Sequence, residues 1–546
     1  MTRMVRRFLD VEGRRVHLRT TGHGPPLVML HGSPADSQLL VGEMAAAAGD
    51  FTCIALDTPG FGFSDALPGE TLIVRDLAAA TVAAMHALGL PPCPVYGTHT
   101  GAAIALEIGA GWPQCVTGLV IDALPIFNDE EIAYLFVDEY FSPMVPDPLG
   151  GHLFRTWMRF RDQFTWFPWF SRDATRLNPL DRPTAAEIDL WVTMFYRSCR
   201  TYRSAYRAAC HYGAGALRAV TTLAVPAVFL ASAEDMLYPH LERLPALKRG
   251  QRVERLAYDP AAKNAAIIAF AKEMRAGYER GKHPVPTSAA RPAVVGSNPG
   301  LQFVDTPHGQ VFVRFFGDRQ RPALFLLHDA PGTGLSHVDM ATALAARYWL
   351  IVPDLPGNGY SDPPPEASCS VEASALAVLA IADALGVAQF SVAGIGCGGA
   401  VAAAVARQGD ARLNATCIGT SGATPLPDPD VVAPELALAP EGTHWLKAWL
   451  MLRDAQVYMP WYDGRVQAQR RRQGNFDAQW LHDQTCALMA SRETYHWLAR
   501  AAAAWRPRDE QLHGTNALLV VEAGDLVQTL LFSNPLPEMH DERPVA

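Results

Sequence analysis

The chain repeats itself, and that repeat constrains its fold more than any single motif does. Leu27–Ser33 reads LVMLHGS and Leu324–Ala330 reads LFLLHDA, which sets His31 and His328 297 residues apart (328 − 31). Ile54–Asp65, IALDTPGFGFSD, returns as Ile351–Asp362, IVPDLPGNGYSD, and Asp57 and Asp354 keep the offset. Val95–Ala103, VYGTHTGAA, returns as Val392–Ala400, VAGIGCGGA, and so do Gly97 and Gly394. Further on, both halves carry His-x4-Trp-x3-Arg-Asp-x5-Pro-Trp, as His152, Trp157, Arg161, Asp162, Pro168 and Trp169 and as His444, Trp449, Arg453, Asp454, Pro460 and Trp461. The offset there is 292 (444 − 152), so the halves differ by a few loop residues. Matching order and spacing over this length imply duplication of a whole domain. The stretch between, Gly281–Gly300, is rich in Pro, Ala, Ser and Gly without periodicity, the composition of a linker. The expected organisation is a domain over 1–280, a linker over 281–300 and a second domain over 301–546.

Composition narrows the class. Of 546 residues, 49% are hydrophobic and 18% charged, enough for packed cores. The net charge of −9 argues against nucleic acid as a partner, since phosphate neutralisation needs a basic face. The nine cysteines form no Cys-x-x-Cys pair, which argues against a zinc ribbon, a dithiol motif or a disulfide framework. A reducing, cytoplasmic setting is the expectation. Met1–Arg7 is basic but no apolar signal-peptide core follows, and no uncharged run reaches bilayer length, so no membrane is expected.

Short apolar runs (Pro26–Leu30, Thr52–Leu56, Pro94–Gly97) end in Gly/Pro turns and alternate with amphipathic segments such as Val74–Leu88. That alternation predicts an α/β fold with a mainly parallel sheet flanked by helices, once in each half. In such sheets ligand chemistry collects at the carboxyl ends of strands, where all three repeated loops lie.

The loops resemble the α/β-hydrolase superfamily. Its pattern is a His-Gly turn after one strand, D-x-x-G-x-G-x-S-D after the next, and a G-x-S-x-G nucleophile elbow after a third. The first half fits all three frames, with the elbow as Gly97-Thr98-His99-Thr100-Gly101; the second has Gly394-Ile395-Gly396-Cys397-Gly398. The resemblance implies helical caps over about 125–215 and 425–505. In the first cap, Trp157, Trp166, Phe167 and Trp169 would line the site or fill the cap core.

The resemblance also shows what has been replaced. The family reaction uses an elbow nucleophile, a histidine that takes its proton and a carboxylate that orients the histidine. The nucleophile position is His99 in the first half and Gly396 in the second. Cys397, beside the second elbow, holds a thiol but occupies the position whose backbone serves the oxyanion hole. Asp235 and Asp525 fit the acid position. Leu256–Ala265 offers no histidine where the first half should have one, and His540 is the one histidine that follows Asp525.

The first half is therefore expected to be the active one, with His99 as general base and Asp235 or Asp122 as its orienting carboxylate. The His31–Gly32–Ser33 turn, Thr98 and Thr100 would shape the oxyanion and substrate site, with His152 and Trp157 as further ligand contacts. The second half, with Gly396, Cys397 and Asp525, would be a degenerate copy. The reaction expected is hydrolysis of a small apolar carbonyl compound, an ester or a C–C bond. The alternatives are a catalytically inactive binding or scaffold protein and a cofactor-free lyase or decarboxylase. No metal constellation or dinucleotide fingerprint stands in the sequence, and no cofactor is expected. The partners expected are a small molecule and, within the chain, the two halves packed on each other.

Overall fold

The protein is described by a computed structural model covering residues 3–178, 181–275, 300–420, 428–470 and 474–505 and the backbone of strand 517–522. It divides into two compact units, one of Met1–Val145 and His152–Val295, the other of Pro146–Gly151 and Gly296–Ala546.

The first unit holds eight strands: β1 (Val5–Val11), β2 (Arg14–Gly22), β3 (Pro26–Leu30), β4 (Thr52–Leu56), β5 (Cys93–Thr98), β6 (Val116–Asp122), β7 (Ala227–Ser232) and β8 (Gln251–Leu256). Their order across the sheet is β1-β2-β4-β3-β5-β6-β7-β8. The β1–β2 hairpin is antiparallel, β2 runs antiparallel to β4, and every pairing from β4 to β8 is parallel. β3, β5 and β7 are buried at every position, which explains their unbroken apolar reading: helices cover both faces, so no side of the strand meets water.

The second unit holds β9 (Gly300–Thr306), β10 (Gly309–Phe316), β11 (Ala323–Leu327), β12 (Trp349–Pro353), β13 (Phe390–Ile395), β14 (Leu413–Thr420) and β15 (Ala517–Glu522). Their order is β9-β10-β12-β11-β13-β14-β15, that of the first unit without an equivalent of β8 among the described residues. The expected linker lies outside the described residues, apart from Gly300, which begins β9.

The loop after β4 shows how closely the two units share local construction. In the first, Asp57 accepts from the amides of Ser37 and Phe63, each at 2.9 Å, and pairs with Nδ1 of His17 at 2.7 Å. In the second, Asp354 accepts from the amides of Gly334 at 2.9 Å and Tyr360 at 3.0 Å and pairs with Arg314 at 2.6 Å. A fully buried carboxylate needs several donors, and both loops supply three. No described helix is long and apolar enough to cross a membrane.

Candidate active site

The elbow follows β5. A side chain on Gly97 would bring its Cβ to 2.1 Å from the carbonyl oxygen of Gly101, and one on Gly101 would come as close to that of Leu30. The two glycines let the strand turn sharply into the helix Thr100–Gly111 while packing against β3. The residue at the apex takes the strain: His99 has φ 51° and ψ −112°, a conformation that L-residues rarely adopt. Gly396 repeats it at φ 57° and ψ −119° before the helix Cys397–Arg407.

His99 faces an acid. Its Nε2 lies 2.9 Å from Oδ2 of Asp235, in the loop after β7. Since the carboxylate only accepts, Nε2 carries the proton and Nδ1 is left as the basic nitrogen. Burial opposes the charge on the ring, but the Asp235 charge and hydrogen bond outweigh it, so the imidazole is more basic than usual. Burial likewise opposes the Asp235 charge, yet His99, the Leu237 amide and Lys263 together hold its pKa at about 2. The His99 side chain remains 36% exposed and that of Asp235 19%, so a small molecule can reach the pair.

His99 lines an open cleft with Ser33, Thr100, Phe127, Phe136, Tyr140, Phe167 and Tyr206. The hydroxyls of Tyr140 and Tyr206 are 2.8 Å apart, and burial makes both phenols weaker acids. The wall is therefore aromatic, with two paired hydroxyls in it.

Several expected site residues sit elsewhere. Asp122, the alternative orienter, ends β6 with a buried carboxylate whose Oδ2 accepts from Tyr96 at 2.8 Å and pairs with Lys263 at 2.6 Å. Only its backbone carbonyl meets the elbow, accepting from the His99 amide at 3.0 Å. His31 is fully buried; its Nε2 accepts from the Thr58 amide at 3.0 Å, so the ring braces two loops and does not face the cleft. Gly32 lies beside the apex, where an added Cβ would be 3.1 Å from that of His99. Thr98 ends β5, buried. His152 and Trp157, expected as ligand contacts, are each 1% exposed on the helix Gly151–Thr165 and line no part of the cleft. The amphipathic turn of that helix sends both into the core.

Sequence reasoning missed Lys263. It lies on the helix Pro260–Met274, in the stretch noted only for lacking a histidine, and balances Asp122. It also missed Asp329, although the repeat offset flags it, since the second unit has His-Asp where the first has His-Gly. Oδ1 of Asp329 accepts from the amides of Ala330 at 2.8 Å and Cys397 at 2.9 Å. Burial raises the Asp329 pKa and, with the nearby Asp329 charge, pushes the Cys397 thiol well above its ordinary range, so Cys397 is no thiolate nucleophile at neutral pH. Asp525 and His540 lie outside the described residues. Among the described residues no group of three His, Cys, Asp or Glu side chains could hold a metal ion.

A family model described as alpha/beta hydrolase fold matches residues 25–265 and 322–507. The chain is 35% identical over 101 residues to pyrrolizixenacetamide deacetylase of Xenorhabdus hominickii, covering 18% of this chain and 38% of that protein. It is 30% identical over 149 residues to pimeloyl-(acyl-carrier protein) methyl ester esterase of Shewanella sp. (strain MR-7), covering 27% and 53%. Haloalkane dehalogenase 2 of Mycobacterium tuberculosis is 29% identical over 115 residues, covering 21% and 40%. The chain thus spans between about two fifths and one half of the length of these relatives. Among solved structures, an epoxide hydrolase from an endophytic Streptomyces is similar with a TM-score of 0.40 and 18% identity, over 50% of this chain and 96% of that one.

Proposed function

Since the chain belongs to the alpha/beta hydrolase fold family, we propose that its first unit hydrolyses a small apolar carbonyl compound, with His99 as general base and Asp235 as the residue that orients it. One observation carries this reading: the 2.9 Å contact from His99 Nε2 to Asp235, at the elbow apex and inside an aromatic cleft. The pair fixes the tautomer and leaves Nδ1 to take a proton from water. The water oxygen then attacks the carbonyl carbon, and the amides of Ser33 and Thr100 stabilise the oxyanion. As the tetrahedral species collapses, the leaving group takes the proton back from His99. The elbow apex, His99, has no hydroxyl, thiol or carboxylate, so in this reading water attacks directly and no acyl-serine is formed. A deacetylase and a methyl ester esterase among the relatives support an acyl compound as substrate.

The second unit is, in this reading, a degenerate copy from a tandem duplication. The 297-residue offset, the shared strand order and the paired aspartate loops support it. The same unit favours the second reading, a binding protein without turnover, because its elbow has already lost its side chain and been filled by Asp329.

Turnover of aryl and alkyl esters in ¹⁸O-labelled water, by wild type and by His99→Ala, separates the two. Label in the acid product from wild type alone establishes hydrolysis through His99. No turnover in either protein leaves the binding protein, and equal turnover in both removes His99 as the base and leaves a different reaction. Cleavage without label points to a lyase.

A further inference from the structure

In the second unit one oxygen, Oδ1 of Asp329, accepts from two backbone amides at once, those of Ala330 and Cys397. These residues stand 297 positions after Ser33 and Thr100 (330 − 33, 397 − 100). In the first unit the amides of Ser33 and Thr100 have no acceptor among the described residues. The Ser33 hydroxyl is buried and also lacks a partner, and both residues line the cleft. The position that supplies the carboxylate in the second unit is Gly32 in the first. The elbow residue changes with it. A Cβ on Gly396 would lie 2.1 Å from Oδ1 of Asp329, so carboxylate and elbow side chain exclude each other. The same backbone thus occurs twice, once with a carboxylate tethered in it and once open.

We propose that Asp329 is a built-in ligand of the second unit, and that the open amide pair of the first unit binds the carboxylate of a free small molecule whose flat apolar body lies against Phe127, Phe136, Tyr140 and Phe167. This differs from stabilising a transient oxyanion, because the tethered group is a ground-state carboxylate. In the second unit two amides converge on one oxygen at the start of the helix Cys397–Arg407, and the matching helix of the first unit starts at Thr100, a setting that suits an anion. His99 and Asp235 balance each other at 2.9 Å, so the Asp235 charge does not stand unpaired against an anion in the cleft. The inference rests on reading this cleft as the ligand site of the first unit, and not on turnover there.

Equilibrium dialysis of the full chain with phenylacetate tests it. Wild type is expected to bind one molecule per chain, at least about tenfold more tightly than phenylacetamide, which lacks the charge. The double variant Gly32→Asp/His99→Gly, which gives the first unit the residues of the second, is expected to lose this binding. Undiminished binding in the double variant, or equal affinity for acid and amide in wild type, overturns the proposal; the second comparison needs no variant to fold. For the second unit, acetate is expected to raise the melting midpoint of Asp329→Gly more than that of wild type, and equal shifts overturn the built-in ligand. Phenylacetate binding without ester turnover leaves this inference standing and removes the hydrolase. Ester turnover without phenylacetate binding does the reverse.

Discussion

A Cβ on Gly396 would lie 2.1 Å from one carboxylate oxygen of Asp329 and 2.2 Å from the other, so the second elbow and the turn beside it are compatible only as a pair. Gly396→Ser, which would restore the family's elbow residue, therefore has to expel a carboxylate that accepts from two amides. It also puts an L-residue at φ 57°. The expected cost is roughly 4–9 kcal/mol, from two charge-assisted hydrogen bonds of about 1.5–3 kcal/mol each plus about 1–3 kcal/mol of backbone strain. Calorimetry should show one of two melting transitions falling. Adding Asp329→Gly should bring it most of the way back, and a double variant as unstable as the single one would show that the two positions are independent.

The parts of this fold that were legible in the sequence are those written in backbone constraints. Gly97 and Gly101, or Gly394 and Gly398, cannot bear side chains without striking main-chain oxygens, so the elbows keep their spacing even where the apex residue is gone. β3, β5 and β7 read as unbroken apolar runs because both their faces are covered. Partner choice was not legible. Asp122 ends one parallel strand and Asp235 follows another, and only the fold sets Lys263 beside the one and His99 beside the other. His152 and Trp157 look alike as pocket residues or as core, because helical spacing does not tell which neighbour the stripe will meet.

Lys263 should matter for stability more than its place outside the repeated motifs suggests. It is the cation paired with Asp122, whose side chain is 1% exposed, and burial alone would favour its neutral form were the carboxylate not beside it. Lys263→Met leaves that buried charge with the Tyr96 hydroxyl, at an expected cost of about 3–5 kcal/mol. Asp122→Asn in the same chain should recover much of the loss. Urea melts followed by far-UV circular dichroism would check this, and a single variant within 1 kcal/mol or so of wild type would contradict the pairing.

Mild acid should weaken both units. Burial holds His240 in the first and His328 in the second at about 4. Each also accepts a backbone amide on a ring nitrogen, from Ile126 and Leu355. The unfolded chain takes up these protons near pH 6.5 and the folded chain does not, so stability falls as pH drops from about 6.5 to 4. The loss is on the order of 3 kcal/mol per histidine. His99 has the opposite sign: its folded pKa is raised, so its contribution is complete below about 6.5 and disappears as pH rises through the folded value. Calorimetry at pH 7 and pH 5 should lower both transitions, and His240→Gln and His328→Gln should each flatten one of them.

The orienting carboxylate can be tested apart from the base. If Nδ1 of His99 accepts the proton from water, the rate should rise with pH through the pKa of the ring, which Asp235 lifts above its ordinary value although burial pulls it down. His99→Ala removes the base and should cost about 10²–10⁴-fold in kcat. Asp235→Asn keeps a partner of similar shape at 2.9 Å but takes away its charge. The inflection should then move to lower pH, because the ring loses the charge that opposed burial. An amide can also donate to Nε2, which would place the ring proton on Nδ1, so kcat should drop as well and stay low above the new inflection. A profile in Asp235→Asn that is superimposable on that of wild type would mean that the carboxylate neither tunes nor orients His99.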